Sequence, residues 1–496
     1  MNLEIIMTKS VGIIGAGIAG LALAIRLANQ GFKVTVFEKN SYPGGKLSEL
    51  NLNGFRFDKG PSLFTMPGLI DELTSLQGSS LQFKYQKLQV ITNYFYSDGT
   101  QLKASANIEE FAEEVHLKLN EKKETILKYM KRNAFYFKTT EDLFLKQSLH
   151  QLKNFVNLKT FKGILFSPFL GLFSSMNKKN IDIFSNPKTA QLFNRYATYN
   201  GSNPYKAPAL MNMISHLEFN LGAYLPNEGM HQITTHLVKL TEEANVIIKY
   251  NSKVDTIEVG ANSRIAFIKC NDVNYAFDIV ASDVDIHVLY KYLLPKSFTP
   301  KKLIQQEKSS SAYVFYWGIN KEFSELGLHN ILFSDDYKKE FDYLFSKQFP
   351  IDDPTIYINI TSKYCKADSP EGCENWFVMV NVPHNKNRSI TYETDLRKNV
   401  INKINTILKT TIEKHIITES TLSPIDIENQ TSSFGGSLYG NSSNNKFAAF
   451  LRHSNFSSTI KNLYLVGGSV HPGGGIPLCL FSAKIASQLI AEREKK

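Results

Sequence analysis

The N-terminal part of the chain alternates short apolar segments with glycine-rich turns. Val11-Gly12-Ile13-Ile14 is a short apolar run, and a longer run rich in leucine and alanine ends just before Gly31. A short apolar run is typical of a buried strand, whereas a longer one followed by glycine is typical of a helix. The pattern therefore predicts a strand, a turn, a helix over Leu21–Gln30 and a second strand over Lys33–Phe37.

The turn between the first strand and the helix has the spacing of a nucleotide-binding loop. Gly15-Ala16-Gly17-Ile18-Ala19-Gly20 matches G-x-G-x-x-G. In such a loop the first glycine permits the tight turn, the second lets backbone approach a pyrophosphate, and the third lets helix and strand pack closely. Glu38 ends the second strand at the offset where an acid meets the ribose hydroxyls of a dinucleotide. An accidental glycine loop would not require this order of strand, helix and acid, so the sequence predicts a dinucleotide site.

The motif alone does not separate FAD from NAD, because both contain adenosine diphosphate. Gly44-Gly45-Lys46 follows soon afterwards and offers a second stretch of bare backbone beside the pyrophosphate, with a lysine to offset its charge. Phe57-Asp58-Lys59-Gly60-Pro61-Ser62 supplies a rigid turn, and no second G-x-G-x-x-G occurs in the sequence. One tightly held dinucleotide is the interpretation that these observations favour.

The C-terminal part repeats the order of strand, glycine loop and helix. Asn462 to Gly468 is strand-like, a Pro-Gly-Gly-Gly-Ile-Pro loop covers 472–477, and an apolar run extends to Ile490. Pro477 suits a first helical turn, where its missing N–H costs nothing. If that helix begins at the redox cofactor, its positive end would stabilise the anion formed on reduction. The alternative is a tight connection in which the glycines only turn the chain.

These segments together give the candidate cofactor-binding residues. They are Gly15, Gly17, Ile18, Ala19, Gly20, Glu38, Lys39, Gly45, Lys46, Pro61, Ser62, Val254, Gly468, Gly475, Ile476 and Pro477.

A chain of 496 residues is too long for a single hydrophobic core, so we expect a cofactor domain and a substrate domain. Strand-like segments between Asn245 and Asp283 indicate a return to the cofactor domain, while long helical and aromatic stretches on either side carry no cofactor motif. The predicted fold class is α/β, a Rossmann-type domain with an inserted α+β substrate part. The cofactor domain would comprise 1–87, 229–295 and 425–496, and the substrate domain 88–228 and 296–424.

The net charge of +10 is compatible with nucleic acid, an anionic substrate or an anionic lipid surface as partner. Its distribution favours lipid, because the segment between Leu143 and Ile181 contains no aspartate or glutamate and interleaves basic with aromatic residues. These residues are Lys146, Lys153, Lys159, Lys162, Lys178 and Lys179, with Phe155, Phe161, Phe166, Phe169 and Phe173. We expect peripheral membrane binding and no nucleic acid. The alternative is a solvated helical hairpin whose rings face the core.

The cysteines and histidines give no sign of a metal site. Cys270, Cys365, Cys373 and Cys479 form no C-x-x-C pair, and the eleven histidines include no H-x-x-x-H. We therefore expect no metal. The N-terminus lacks the pattern of a secretion signal, and no apolar run is long enough to span a membrane. Together with the widely spaced cysteines, these features predict a cytoplasmic protein.

The motifs as a set resemble the phytoene desaturase family of carotenoid enzymes, and the resemblance covers most of the chain. The segments that carry it are Gly15–Gly20, Glu38, Gly44–Lys46, Phe57–Ser62, Arg195–Ala209, Leu221–Met230, Ser369–Cys373 and Gly467–Pro477. The chain is most similar to the branch that desaturates hydroxylated acyclic carotenoids. The resemblance implies an amine-oxidase-like flavoprotein architecture, FAD as cofactor, and a protein that lies on a membrane while removing two hydrogens from a polyene.

The chemistry of such a reaction calls for few acid or base residues. A flavin needs to lie beside an apolar tunnel, and allylic hydrogens leave a delocalised cation. We therefore assign no catalytic residue from the sequence. Asp58 is more typical of a structural turn, and His471, just before the glycine loop, is ambiguous.

Other functions share the expected fold. A carotene isomerase, an amine oxidase or a porphyrinogen oxidase would keep the flavin and change the reaction. A non-catalytic prenyl-lipid carrier, similar to the GDP-dissociation inhibitors, would not need an intact phosphate site. Oxygen and a quinone are both open as the oxidant that regenerates the flavin, and the oligomeric state is open as well.

Overall fold

The computed structural model describes residues 8–151, 154, 171–385, 392–445 and 452–494. The strands are, in chain order, β1 (Ser10–Ile14), β2 (Lys33–Phe37), β3 (Glu49–Leu52), β4 (Phe55–Asp58), β5 (Tyr85–Lys87), β6 (Val90–Phe95), β7 (Gln101–Ser105), β8 (Tyr224–Pro226), β9 (Ile247–Lys249), β10 (Val254–Val259), β11 (Ile265–Cys270), β12 (Val273–Tyr275), β13 (Ile279–Ser282), β14 (Ser311–Ile319), β15 (His329–Leu332), β16 (Ile356–Ile360), β17 (Glu374–Val382), β18 (Ile416–Leu422) and β19 (Leu463–Leu465). The described α-helices of six residues or more are α1 (Ile18–Asn29), α2 (Gly68–Gln77), α3 (Ile108–Leu119), α4 (Lys123–Phe144), α5 (Met176–Ile181), α6 (Pro187–Asn194), α7 (Gln232–Glu243), α8 (Tyr337–Asp342), α9 (Glu393–Leu408), α10 (Pro424–Thr431) and α11 (Ile476–Glu494).

A five-stranded parallel sheet in the order β19-β13-β1-β2-β9 forms the Rossmann-type part of the fold. Val11 and Ile13 of β1 are fully buried, because β1 lies at the centre of the sheet with helices packed on it. Leu23 of α1 and Ala483 of α11 belong to the same core. Since all strands run the same way, the loops that follow β1, β2, β13 and β19 meet at one edge of the sheet.

The first helix begins earlier than the apolar pattern predicts. It covers Ile18–Asn29 rather than Leu21–Gln30, because Gly17 is its N-cap, with extended backbone at φ −69° and ψ 171°. The helix therefore starts inside the glycine motif, which brings its N-terminal N–H groups to the loop itself. Gly31 follows with φ 88°, a left-handed conformation that suits glycine after a helix end.

The second large layer is a seven-stranded mixed sheet in the order β18-β14-β17-β16-β15-β6-β7. One face packs against α9, where Leu396, Val400 and Ile404 share a core with Trp317. All seven strands come from the stretches 88–228 and 296–424, for which the sequence predicts an α+β substrate part with helical and aromatic segments. β14 is buried at every position, and β17 at nearly every position. They lack the alternation that distinguishes a strand from a buried helix.

The segment between Asn245 and Asp283 supplies strands to two sheets. β9 and β13 join the parallel sheet, while β10, β11 and β12 form a separate antiparallel sheet. Ile257 and Ile268 of that smaller sheet share a core with Val280. The segment thus packs on the parallel sheet. The residue boundaries of the two domains stay a prediction.

The basic and aromatic segment lies largely outside the described residues. These undescribed positions are Lys153, Lys159, Lys162, Phe155, Phe161, Phe166 and Phe169. Among the described neighbours, Phe135 on α4 is 53% exposed and Phe173 is 79% exposed. Lys146 pairs with Glu141 and Asp142. Within the part of the chain that the structure describes, no helix combines the length and apolarity that crossing a bilayer requires.

Candidate cofactor and substrate site

A cavity of about 790 Å³ lies between the carboxyl edge of the parallel sheet and one face of the seven-stranded sheet. The candidate cofactor residues that line it are Gly15, Gly17, Ile18, Ala19, Glu38, Lys39, Gly45, Lys46, Pro61, Ser62, Val254, Gly468, Gly475, Ile476 and Pro477. Gly20 lies behind this wall in α1. The structure thus brings residues from three distant parts of the chain to one space, as expected at the carboxyl ends of parallel strands.

The glycines of the first loop have the packing roles that their spacing predicts. Gly15 has φ 100°, a conformation that side chains disfavour. A Cβ on Gly20 would lie 2.2 Å from the Gly15 carbonyl oxygen, so helix and turn approach too closely for alanine. Gly44 donates its N–H to the Ala16 carbonyl at 2.8 Å. The two glycine segments therefore lie side by side along the cavity.

The charged candidates near this loop are held by the protein. The Glu38 carboxylate is buried and accepts backbone N–H groups from Ala16 and Asn40, each at 2.9 Å. Lys39 donates to the Asn429 carbonyl oxygen, which ties the loop to α10. Glu38 thus shapes the loop and still lines the cavity where a ribose would lie.

Lys46 lines the cavity and is held by a backbone carbonyl group. Its Nζ donates to the Leu438 carbonyl at 2.9 Å, and burial lowers the pKa of the ammonium group despite nearby Asp285 and Asp283. The hydrogen bond to the Leu438 backbone fixes the ammonium group at the cavity. Its position beside the pyrophosphate stays a prediction.

The C-terminal loop forms a second bare stretch of backbone. Gly475 has φ 116°, and a Cβ built on it would have no atom within 4 Å. It lines the cavity one residue before α11 begins at Ile476. The loop and helix start thus leave open space that a flat ring system can occupy against backbone. Together with the N-terminal glycines, this cradle fits a flavin dinucleotide.

Asp283 is a site residue that the sequence motifs did not reveal. It follows β13, lines the cavity, and its Oδ2 accepts the Gly20 N–H at 3.0 Å. Burial is the main reason that the pKa of Asp283 is raised to about 7, with Glu38 adding to the effect and Lys46 opposing it. Its position directly after a strand-like segment is the sequence feature that could have indicated it, since residues after a strand adjacent to β1 lie at the ligand edge of such a sheet.

Arg452 is a second residue that sequence reasoning missed, and no local pattern marks it. Its guanidinium donates to the carbonyl oxygens of Tyr439 at 2.8 Å and Gly468 at 3.1 Å. A third bond, from Nη2, goes to the Asn441 carbonyl at 3.0 Å. Burial lowers its pKa to about 10, so it remains a cation at neutral pH. Among the described residues it has no carboxylate within ion-pair distance, and it lines the cavity.

Asp58 has a structural role, and His471 lies in the cavity as a neutral imidazole. Asp58 accepts backbone N–H groups from Met230 at 2.8 Å and His231 at 2.9 Å, and it pairs with Arg56. It does not line the cavity. His471 does line it, but burial lowers its pKa to about 4, so the imidazole is neutral at physiological pH.

The cavity has an apolar side and a polar side. The apolar side comes from α4 and the segment after 208, with Phe137, Leu145, Met211, Ile214 and Leu217 among its residues. The polar side includes Ser62, Arg195, Glu218, His329 and Tyr357. Arg195 and Glu218 form a buried ion pair at 2.9 Å, and Tyr94 accepts the Arg195 Nε–H at 2.8 Å. A long apolar ligand with a polar end would match both sides.

Comparison with known protein families supports the assignment of this cavity as a flavin-binding site. The profile of the family described as flavin containing amine oxidoreductase matches residues 18–491. The chain belongs to this family. As a member of the family it is an FAD-dependent oxidoreductase with an amine-oxidase-like fold, which confirms the expected fold class and cofactor.

Within this family, the chain is similar to enzymes that act on carotenoids. This flavoenzyme is 48% identical over 98% of its length, and 99% of the relative's, to the 1-hydroxycarotenoid 3,4-desaturase of Flavobacterium sp. (strain P99-3). It is 32% identical to the 4,4'-diapolycopene oxygenase of Methylomonas sp. over 97% of its length and 98% of the relative's. The predicted resemblance to carotenoid desaturases is confirmed.

Solved structures share the fold with this flavoenzyme at low sequence identity. A putrescine oxidase bound to putrescine matches with a TM-score of 0.65 at 12% identity, covering 98% of this chain and 100% of that one. A fatty acid isomerase from P. acnes matches with a TM-score of 0.57 at 15% identity, with 98% of each chain covered. These similarities extend to the fold alone.

Proposed function

We propose that this flavoenzyme desaturates an acyclic carotenoid that carries a hydroxyl group at one end, in carotenoid biosynthesis. The observation that carries the proposal is the single cavity in which two glycine cradles meet a long apolar wall and a polar patch. The 48% identical 1-hydroxycarotenoid 3,4-desaturase supports the same substrate class.

Bound FAD would supply the acceptor for the hydride that leaves the allylic carbon. The glycines after β1 and before α11 would let the backbone lie against it. Arg452 and the N-terminus of α11 place positive potential on the same side of the cavity. Phe137, Met211 and Leu217 line the apolar side of the cavity, where they would exclude water and align a polyene.

The side chains near the loops agree with a reaction that needs little acid or base chemistry. His471 is neutral, and the Asp58 carboxylate is occupied by backbone N–H groups outside the cavity. Glu218 is paired with Arg195. An amine oxidase would have to bind a charged or polar amine, whereas the apolar wall of this cavity suits a hydrocarbon. A lipid carrier would not need the glycine cradles.

Pigment analysis in a host that makes defined acyclic carotenes and hydroxycarotenes tests the proposal. We expect a product with two hydrogens fewer and absorption shifted to the red. An isomer of unchanged mass would identify an isomerase, and a product that gains oxygen would identify an oxygenase. Either result would refute the proposed desaturation.

We also propose that the protein binds the cytoplasmic face of a membrane peripherally. Phe173 and Ile181 are 79% and 56% exposed near the basic segment, and Lys178 beside them is exposed. Exposed rings and lysines together are typical of an interfacial surface on anionic lipid.

Co-sedimentation with vesicles tests membrane binding. We expect binding to vesicles that contain anionic lipid, weakened by Phe173→Ser and by salt. Ile417→Ser is the control, since Ile417 is 55% exposed on β18, a strand of the seven-stranded sheet outside the basic segment. Equal binding by both variants would contradict the surface proposed here.

A further inference from the structure

The polar side of the cavity is built on one face of the seven-stranded sheet. His329 pairs with Asn359 across β15 and β16, and Ile331 pairs with Tyr357. His329, Ile331 and Tyr357 all line the cavity. A sheet face is a rigid support, so these side chains have fixed positions relative to the cofactor loops.

A hydrogen-bonded chain links His329 to the glycine-loop side of the cavity. The Ser62 hydroxyl lies 2.7 Å from the Tyr357 hydroxyl, which lies 2.7 Å from His329 Nδ1. Ser62 belongs to the turn expected to contact the flavin. His329 is thus two hydrogen bonds from a candidate cofactor residue, even though the two are 267 positions apart in sequence.

The partners of Nδ1 determine the tautomer of His329. The Asn359 side-chain amide also donates toward Nδ1, at 3.2 Å, so Nδ1 acts as an acceptor. Burial lowers the pKa of His329 to about 3, so the ring is neutral. A neutral imidazole with an acceptor at Nδ1 carries its proton on Nε2.

The Nε2–H of His329 is buried and has no hydrogen-bond partner among the described residues. His329 is 3% exposed and nevertheless forms part of the cavity wall. A buried N–H that stays unpaired is unfavourable, and such groups are rare in folded proteins. The carboxylate of Glu218, which also lines the cavity, already accepts hydrogen bonds from Arg195, Tyr196 and Tyr199.

We propose that His329 determines substrate specificity by donating its Nε2–H to the hydroxyl oxygen of the carotenoid. This inference rests on the proposed function, and it identifies the residue that recognises the polar end of the substrate. The oxygen of a hydroxyl group at C1 is three bonds from the C3 atom of a 3,4 double bond. Its recognition group must therefore lie near the flavin, and the Ser62–Tyr357–His329 chain places this donor there.

Two substitutions separate the donor from the rest of the ring. His329→Asn keeps a polar group near the Nδ1 position, which can still meet Tyr357, and removes the donor at Nε2. His329→Gln keeps an N–H near the Nε2 position. Both replacements are polar and smaller than or similar to histidine, so the pair controls for loss of the ring itself.

The experiment measures kcat/KM of FAD-loaded protein on a 1-hydroxylated acyclic carotene and on the same carotene without the hydroxyl. We expect His329→Asn to lower kcat/KM for the hydroxylated substrate by about tenfold to a hundredfold, the size expected for an unpaired polar group. The value for the substrate without the hydroxyl should change by no more than about threefold. His329→Gln should retain most of the preference. FAD content and thermal unfolding should match wild type in both variants.

The outcomes distinguish this inference from the proposed function. If wild-type protein desaturates neither substrate, the proposed function is wrong and the inference falls with it. If wild type desaturates the hydroxylated substrate and His329→Asn keeps the same preference, only the assignment of His329 is overturned. Equal loss in His329→Asn and His329→Gln would also overturn it, because a retained donor would then make no difference.

Discussion

The Asp283 carboxylate accepts a hydrogen bond from the Gly20 N–H, with Oδ2 3.0 Å from the nitrogen. Asp283 follows β13, and Gly20 lies in the first turn of α1, so the bond joins two neighbouring elements at the ligand edge of the sheet. A Cβ on Gly17 would lie 2.4 Å from Oδ2, and one on Gly467 would lie 2.3 Å from Oδ1. Both glycine loops therefore converge on one carboxylate, in the place where a diphosphate is expected.

This arrangement predicts that FAD binds more weakly as the pH rises through neutrality. The pKa of Asp283 is raised to about 7, mainly by burial, so the carboxyl group is protonated below that pH and charged above it. The charged form repels a diphosphate. We expect the dissociation constant for FAD, measured by flavin fluorescence, to rise by up to about tenfold per pH unit above 7.

Asp283→Asn is the control for that pH dependence. An asparagine oxygen can still accept the Gly20 N–H, but it does not ionise. FAD affinity of the variant should stay constant where that of wild type falls. The apoprotein of wild type should also lose stability as the pH rises toward 7, because the folded-state pKa lies above that of the unfolded chain. If FAD affinity of the variant fell with rising pH as that of wild type does, the role of Asp283 would be contradicted.

Gly17→Val should abolish FAD binding. The valine side chain would meet the Asp283 carboxylate and occupy the space where backbone is expected to approach the pyrophosphate. Flavin absorbance of the purified protein measures the effect. Gly68→Ala is the matched control, because Gly68 starts α2 and a Cβ there meets nothing within 4 Å. Full flavin content in Gly17→Val would disprove this interpretation of the loop.

Removing one member of the buried Arg195–Glu218 pair should destabilise the protein strongly. The pair spans 2.9 Å, and both side chains are at most 5% exposed. Glu218→Gln would leave a buried, unpaired guanidinium, and we expect a loss of about 3–5 kcal/mol in the free energy of unfolding. Denaturant unfolding measures it. The double variant Arg195→Met with Glu218→Leu should lose less stability, because it leaves no unpaired charge. A larger loss in the double variant would contradict the unpaired guanidinium as the cause.

Arg452→Gln should lower the reduction potential of the bound flavin. Arg452 holds backbone carbonyl oxygens rather than a carboxylate, so its charge is free to stabilise a reduced, anionic flavin. We expect a fall of tens of millivolts by dye equilibration, where about 30 mV corresponds to about 1.4 kcal/mol. In Arg452→Lys the reduction potential should fall less, because a positive charge is retained. Arg397→Gln, which removes a surface pair with Glu419, should leave the potential unchanged.

The parts of the fold that depend on local sequence could be predicted from it. β2 has the bounds Lys33–Phe37 that the apolar pattern predicts, because turn residues delimit it. β14 was missed, since a strand buried on both faces has no alternation along its sequence. Helix α1 was started late because the glycine motif was interpreted as a turn alone.

Some residues of the candidate site could likewise be predicted from local sequence, and others could not. Gly15, Gly17 and Gly20 could be assigned because each acts through its own backbone within six residues. Asp283 and Arg452 reach the loops from distant segments, and their role depends on how the sheets and loops come together. His329 has no motif around it, and its unpaired Nε2–H follows only from the positions of Tyr357 and Asn359 in the sheet.

Incubation of the purified, FAD-loaded protein with a 1-hydroxylated acyclic carotene, followed by mass and absorption analysis, tests the central claim most directly. We expect a product with two hydrogens fewer, absorption shifted to the red, and bleaching of the flavin when no oxidant is present. A product of unchanged mass, or a flavin that stays oxidised in the presence of this carotene, would contradict the account.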